Sequence, residues 1–211
     1  MCENRVVSTA HETKAPALPS FRDESKANLF PFAVVCSAWL APLLKFWVMV
    51  WAAGGNVAPN GWAFALGCLV SVAPWWLPAS YYRTRKFEAD GRIYELLGVR
   101  LFRMLVPNGD LVNLWRRRHD PGFRVIANET SARTFIARTI VGEKTHLVSL
   151  VIGLASSWFA WQIGWTGWAI YLCAANVLFN VYPILLQRYT RARIVRLTAR
   201  SPRRHPLQTG S

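Results

Sequence analysis

Two sets of polar residues stand inside or beside apolar helical stretches, at spacings that could do chemistry. Thr139, Glu143 and His146 fall at i, i+4 and i+7, so a helix through them carries all three on one face. A carboxylate three residues before a histidine can accept a hydrogen bond from the imidazole, fixing its tautomer and leaving the other ring nitrogen as a base. Asn180, Gln187 and Arg191 fall at i, i+7 and i+11, again on one face, with Pro183 between them. Such a stripe within a span faces a bundle interior or a watery cavity, because facing lipid is costly. Plainer readings stand beside these. The Glu–His pair could cap the membrane end of a helix, Asn180 could serve the Phe179 carbonyl that Pro183 leaves free, and the arginines could anchor on anionic headgroups.

The elements that must position these residues follow from the layout of apolar and basic runs. Of the 211 residues, 53% are hydrophobic, 11 are Trp, and the net charge is +14. Hydrophobic and strongly basic segments alternate, as in a multi-span membrane protein. A soluble nucleic-acid binder would be basic without several near-continuous apolar runs, so no nucleic-acid partner is expected. The expected fold is all-α, an integral membrane bundle of four transmembrane helices at about 29–53, 61–79, 147–165 and 167–187. Residues 1–28 read as a disordered cytosolic tail, 29–197 as the membrane-embedded domain, and 198–211 as a basic tail. The first run exceeds the apolar core of a signal peptide, and its Lys45 either snorkels or lines the bundle. The second is cut by Pro74 and Pro78. The connection between the last two is so short that they form a tight helical hairpin.

Between Arg83 and Lys144 there are thirteen Lys or Arg against seven acids, and after Leu186 seven Arg and no acid. The positive-inside rule then places both termini and the middle segment in the cytosol of a bacterial cell, with the chain in the inner membrane. Within that segment, Ile93, Leu97, Leu101 and Leu105 recur every four residues among Arg92, Arg100 and Arg103, a basic amphipathic helix suited to an anionic membrane face. A further helix starts with Asn128 as its cap and runs into the third span. Cys2, Cys36, Cys68 and Cys173 share no ligand-like spacing, so neither a metal site nor a disulfide framework is expected.

Neither His119 nor His146 opens an H-x-x-x-x-D acyltransferase motif, since positions 124 and 151 are Arg and Val, and no G-x-S-x-G elbow, P-loop or dinucleotide fingerprint occurs. Several stretches nevertheless resemble the glycosyl-4,4′-diaponeurosporenoate acyltransferase family of small bacterial membrane enzymes. They are "YYRTRKFEADGRIYELLGVRLFRMLVPNG", "RRRH", "GEKTH" as a Glu-x-x-His, and "NVYPILLQRYTRARI" against an Asn-x-x-Pro…QRYNR-x-R ending. The resemblance covers roughly Trp75 to Leu197. Arg138 stands where the family often has an acid, and Thr190 replaces the asparagine of QRYNR. The resemblance implies transfer of a fatty acyl group to a sugar hydroxyl of a glycolipid, with a glycosylated carotenoid as the family's acceptor.

Residue chemistry then suggests roles. His146, oriented by Glu143, is the candidate base, with His119 as its rival. Asn180 or Gln187 is the candidate oxyanion donor. Arg188, Arg191 and Arg193 are candidates to hold the anionic part of an acyl-CoA or another activated donor, and Tyr189, Thr139 and His119 are further candidate substrate contacts. No cofactor is expected beyond that donor; the expected partners are membrane lipids, the acceptor and the donor. The alternative is a non-catalytic four-helix membrane protein that binds lipid or a partner protein. A small transporter is the third reading.

Overall fold

A computed structural model describes residues 29, 33–54, 61–106, 109–119, 121, 122, 126 and 129–200, and every regular element among them is helical. The N-terminal tail, Asn128 and residues 201–211 lie outside the described residues. Helix α1 (Ala41–Ala53) and α2 (Gly61–Val72) are followed by three short 3₁₀ turns. Two brief helices come next, α3 (Arg92–Leu96) and α4 (Val99–Leu105), then α5 (Asp110–His119). The body of the molecule is α6 (Glu129–Gln162), folded back on α7 (Thr166–Asn176) and α8 (Tyr182–Arg200).

The hairpin is closed by Gly164, whose φ of 78° only glycine adopts readily. The Trp165 N–H reaches the Ala160 carbonyl at 2.8 Å and the Gly164 N–H reaches Trp161 at 3.0 Å. These are the two bonds of a Schellman termination, and they spare the last carbonyls of α6. Near this turn Phe46, Val50, Ala160, Ala169 and Leu172 are buried together, with Trp47 and Phe159 stacked beside them.

Prolines shape the backbone at two further points. A π-turn, Cys36–Leu40, precedes Pro42, and another, Val177–Val181, precedes Pro183. Proline has no N–H to give the carbonyl four residues back. Before Pro42 that carbonyl is Ala38, and the Tyr171 hydroxyl donates to it at 2.8 Å, tying the π-turn ahead of α1 to α7. Before Pro183 it is Phe179, the residue before Asn180.

The described residues hold two helices long and apolar enough to cross a membrane, Ala33–Ala53 and Thr166–Ala199, rather than the four expected. The apolar helix of the second run ends at Trp76, because Pro74 tightens it to 3₁₀ geometry. The third run belongs to α6, whose first half is charged and whose apolar half stops at Gln162. In the apolar windows of the two long helices, only 17% and 33% of residues are buried. The core helix of a soluble protein would instead be mostly covered. Outward-facing Leu44, Val48, Leu69, Trp158 and Ile170 suit lipid, and the molecule's exterior points to a membrane location.

The expected single amphipathic helix is two. Gly98, at φ 73°, breaks it between α3 and α4. Tyr94 and Val99 turn inward onto Tyr189 of α8, while Leu96, Leu97 and Leu101 remain exposed.

Candidate active site

The long pairing of α6 with α7 and α8 buries polar side chains from both partners, forming a ladder across the hairpin. At its polar end Glu143 is completely buried and lies between two arginines of α8. Arg188 Nε donates to Glu143 Oε1 at 2.8 Å, and Arg191 donates to Oε2. Arg188 also reaches back to the segment before α3. Its Nη1 donates to Glu88 Oε1 at 3.0 Å, its Nη2 to the Tyr81 carbonyl at 3.4 Å, and its guanidinium lies 4.7 Å over the Tyr81 ring. The second Arg191 nitrogen donates to Thr139 Oγ1 at 3.4 Å, while Thr139 donates to the Ile136 carbonyl.

Glu88 is itself buried. Burial would push its carboxyl up, but hydrogen bonds from the Arg85 N–H, Tyr94 and Arg188 outweigh that and hold it below the usual carboxylate range. Burial, followed by the bond to Glu88, pushes the Tyr94 hydroxyl up. Two carboxylates thus face two guanidiniums, and the cluster is neutral. It joins α6, α8 and the turn before α3 into one block.

Glu143 is therefore not the partner of His146. Both carboxylate oxygens are taken, and the half-buried imidazole turns to Asn180, with Nδ1 3.3 Å from Oδ1. What fixes the direction of this contact is a chain of amides. The Leu150 carbonyl can only accept, so Asn176 presents its NH₂ to it at 3.0 Å. That leaves Asn176 Oδ1 facing the Asn180 NH₂ at 2.6 Å, and Asn180 Oδ1 facing the ring. The proton between Asn180 and His146 must come from Nδ1. A neutral imidazole carries one N–H, so Nε2 keeps its lone pair. A π-turn next to Pro183 thus brings Asn180 to the histidine.

Gly153 makes room for this chain. A Cβ there would lie 2.5 Å from Asn176 Cγ and Oδ1 and 2.5 Å from Trp39. Gly153→Ala is expected to destabilise the protein by about 1–3 kcal/mol, the usual cost of overpacking. It should also lower turnover by pushing Asn176 off Asn180. Thermal unfolding and an activity assay on the same preparation check both effects.

The remaining sequence candidates separate. Gln187 lies against Gly142, where a Cβ would stand 2.9 Å from Nε2, one helical turn before His146. Gln187, Thr139 and Arg193 line a cleft of about 680 Å³ between α4, α5, α6 and α8. Tyr189 points elsewhere: it is buried against Tyr94, under Arg103, and donates to Glu95 Oε1 at 3.1 Å. His119 ends α5, and its side chain lies outside the described residues. Asn176 and Glu88 were not among the candidates. Asn176 had a visible signal, standing four residues before Asn180 on the same face. Glu88 had none, because only the fold brings it to Arg188.

A family model described as glycosyl-4,4′-diaponeurosporenoate acyltransferase matches residues 78–200. That span contains Glu88, Glu143, His146, Asn176, Asn180, Arg188 and Arg191, and excludes α1 and α2. No curated protein and no solved structure matches the chain.

Proposed function

The chain belongs to the glycosyl-4,4′-diaponeurosporenoate acyltransferase family, a family of acyl-transferring enzymes, and from that premise we propose that it esterifies a sugar hydroxyl of a membrane glycolipid, a glycosylated carotenoid in the family's own terms. His146 Nε2 takes the proton of the acceptor hydroxyl as its oxygen attacks the acyl carbonyl of an activated donor. With a thioester donor, the new C–O bond forms, the C–S bond breaks, and the proton passes from the imidazole to the leaving thiolate. Asn180 holds the ring rather than the oxyanion, since its oxygen accepts from His146 and its amide donates to Asn176. Gln187 of α8, packed on Gly142 of α6 one turn before His146, is left as the amide able to meet the developing oxyanion.

The observation that carries this reading is the hydrogen-bond chain from the Leu150 carbonyl through Asn176 and Asn180 to His146. Two buried amides aligned on one imidazole do more than cap a helix end. The reading places the reaction at the cytosolic face of the bacterial inner membrane, with both termini in the cytosol. Charge distribution along the sequence supports that topology.

Lipid extracts of cells with and without the gene provide the test. An acyl ester of a glycosylated lipid is expected only when the gene is present, and it should disappear when the gene encodes His146→Ala. Identical extracts from all three strains would instead favour the non-catalytic membrane protein.

A further inference from the structure

The arginines of α8 divide into two groups. Arg188 and Arg191 are neutralised by Glu88 and Glu143. Arg193 is exposed and lines the 680 Å³ cleft, where exposed Arg117 of α5 and exposed Arg138 of α6 meet it. The carboxylate on the lining, Asp110, is 2.6 Å from Arg103 and spoken for. Arg117, Arg138 and Arg193 have no carboxylate partner among the described residues. Three like charges gathered around one concavity repel each other, and an anion relieves that repulsion. Guanidinium forks match the oxygens of phosphate in particular.

We propose that this cleft seats a phosphate of the acyl donor, with Arg117, Arg138 and Arg193 as its ligands. The inference rests on the acyl-transfer reading above and identifies where that reaction's second substrate binds. A glycosylated carotenoid is neutral and gives three arginines nothing to hold, so the phosphate belongs to the donor. The inner wall fits this assignment. Thr139 lines the cleft and lies seven residues before His146, about 10 Å along the helix axis. Gln187 lies between, on Gly142. Phe135, Leu186 and Ile194 give the cleft an apolar side beside its charged one. A donor anchored here by its phosphate directs its acyl carbonyl along α6 toward Nε2. Two donors share this chemistry: an acyl-CoA and an acyl phospholipid.

The experiment uses the full chain in detergent, with acyl-CoA and phosphatidylglycerol as alternative donors in turnover. Free coenzyme A and short-chain phosphatidylglycerol serve as probes in calorimetry. Arg138→Glu and Arg193→Glu are expected to raise the donor KM roughly 10- to 100-fold, the range of a lost charge-assisted hydrogen bond, with kcat near the parent value. Arg133→Glu, on the exposed part of α6 and paired with Glu129 outside the cleft, should change neither. Arg138→Gln and Arg193→Gln, followed by thermal unfolding, separate a lost ligand from a damaged fold. An effect confined to acyl-CoA identifies the thioester donor; one confined to phosphatidylglycerol identifies the phospholipid. If no donor turns over, the acyl-transfer reading fails, and calorimetry still judges the cleft by whether probe binding vanishes in the glutamate variants. Parent protein that binds neither probe, or variants with unchanged probe affinity and donor KM, would overturn the proposal.

Discussion

Glu143→Ala is expected to unfold the protein at a markedly lower temperature than the parent, with a loss of about 3–5 kcal/mol. The substitution removes the one carboxylate that both Arg188 and Arg191 share, at a site with no solvent exposure. Arg191 then retains only its bond to Thr139, while Arg188 keeps Glu88 and the Tyr81 carbonyl. An uncompensated buried guanidinium costs far more than the intact pair contributes over an apolar replacement, so the loss is large even if the pair itself is worth little. For a chain of this size the midpoint should fall by roughly 6–20 °C. Glu88→Gln should cost less, because Arg188 keeps its bond to Glu143. Thermal unfolding in one detergent, read by far-ultraviolet circular dichroism, orders the three proteins. A Glu143→Ala protein that melts with the parent yet has lost turnover would return Glu143 to the role of orienting His146.

How far these residues could be read without the fold depends on whether their partners lie on the same helix. The faces formed by Thr139, Glu143 and His146 and by Asn180, Gln187 and Arg191 are set by helical periodicity, and α6, α7 and α8 follow them. Which residue meets which is decided by the crossing of those helices. Glu143 and His146 share a face, but the carboxylate finds two guanidiniums on α8 and leaves the imidazole to Asn180. Ion pairing in a buried site is stronger than a neutral hydrogen bond, so this exchange of partners follows from charge. Spacing within one helix carries no record of it.

The same limit explains the spans and the arginines. Apolar runs can be counted in sequence, yet Pro74 and the charged first half of α6 decide how much of each run sits on one long apolar helix. The dense arginines after Leu186 look alike in sequence. Only the returning segment before α3, with Glu88 at its end, distinguishes the neutralised Arg188 from the open Arg193. Arg138 and Thr190 both line the cleft rather than the ladder.

His146→Ala is expected to lower turnover by about 10²–10⁴, the usual contribution of a positioned general base, while the unfolding midpoint stays close to the parent's. The two effects part because stability at this level rests on Glu143 and its arginines, which His146 does not touch. A pairwise test then distinguishes the two roles open to Asn180. If Asn180 acts through the imidazole, Asn180→Ala lowers turnover in the parent and adds almost nothing once His146 is alanine. Residues that work as a unit are non-additive in this way. If Asn180 donates to the oxyanion on its own account, its loss should cost roughly a further 10²–10³ in either background. The geometry favours the first result, since the Asn180 oxygen faces Nδ1 and its amide is engaged by Asn176. Asn176→Ala should behave like a weaker Asn180→Ala in the parent and should also be silent behind His146→Ala. Six rate constants and two melting curves decide it, and independent, additive losses would remove Asn176 and Asn180 from the support of His146.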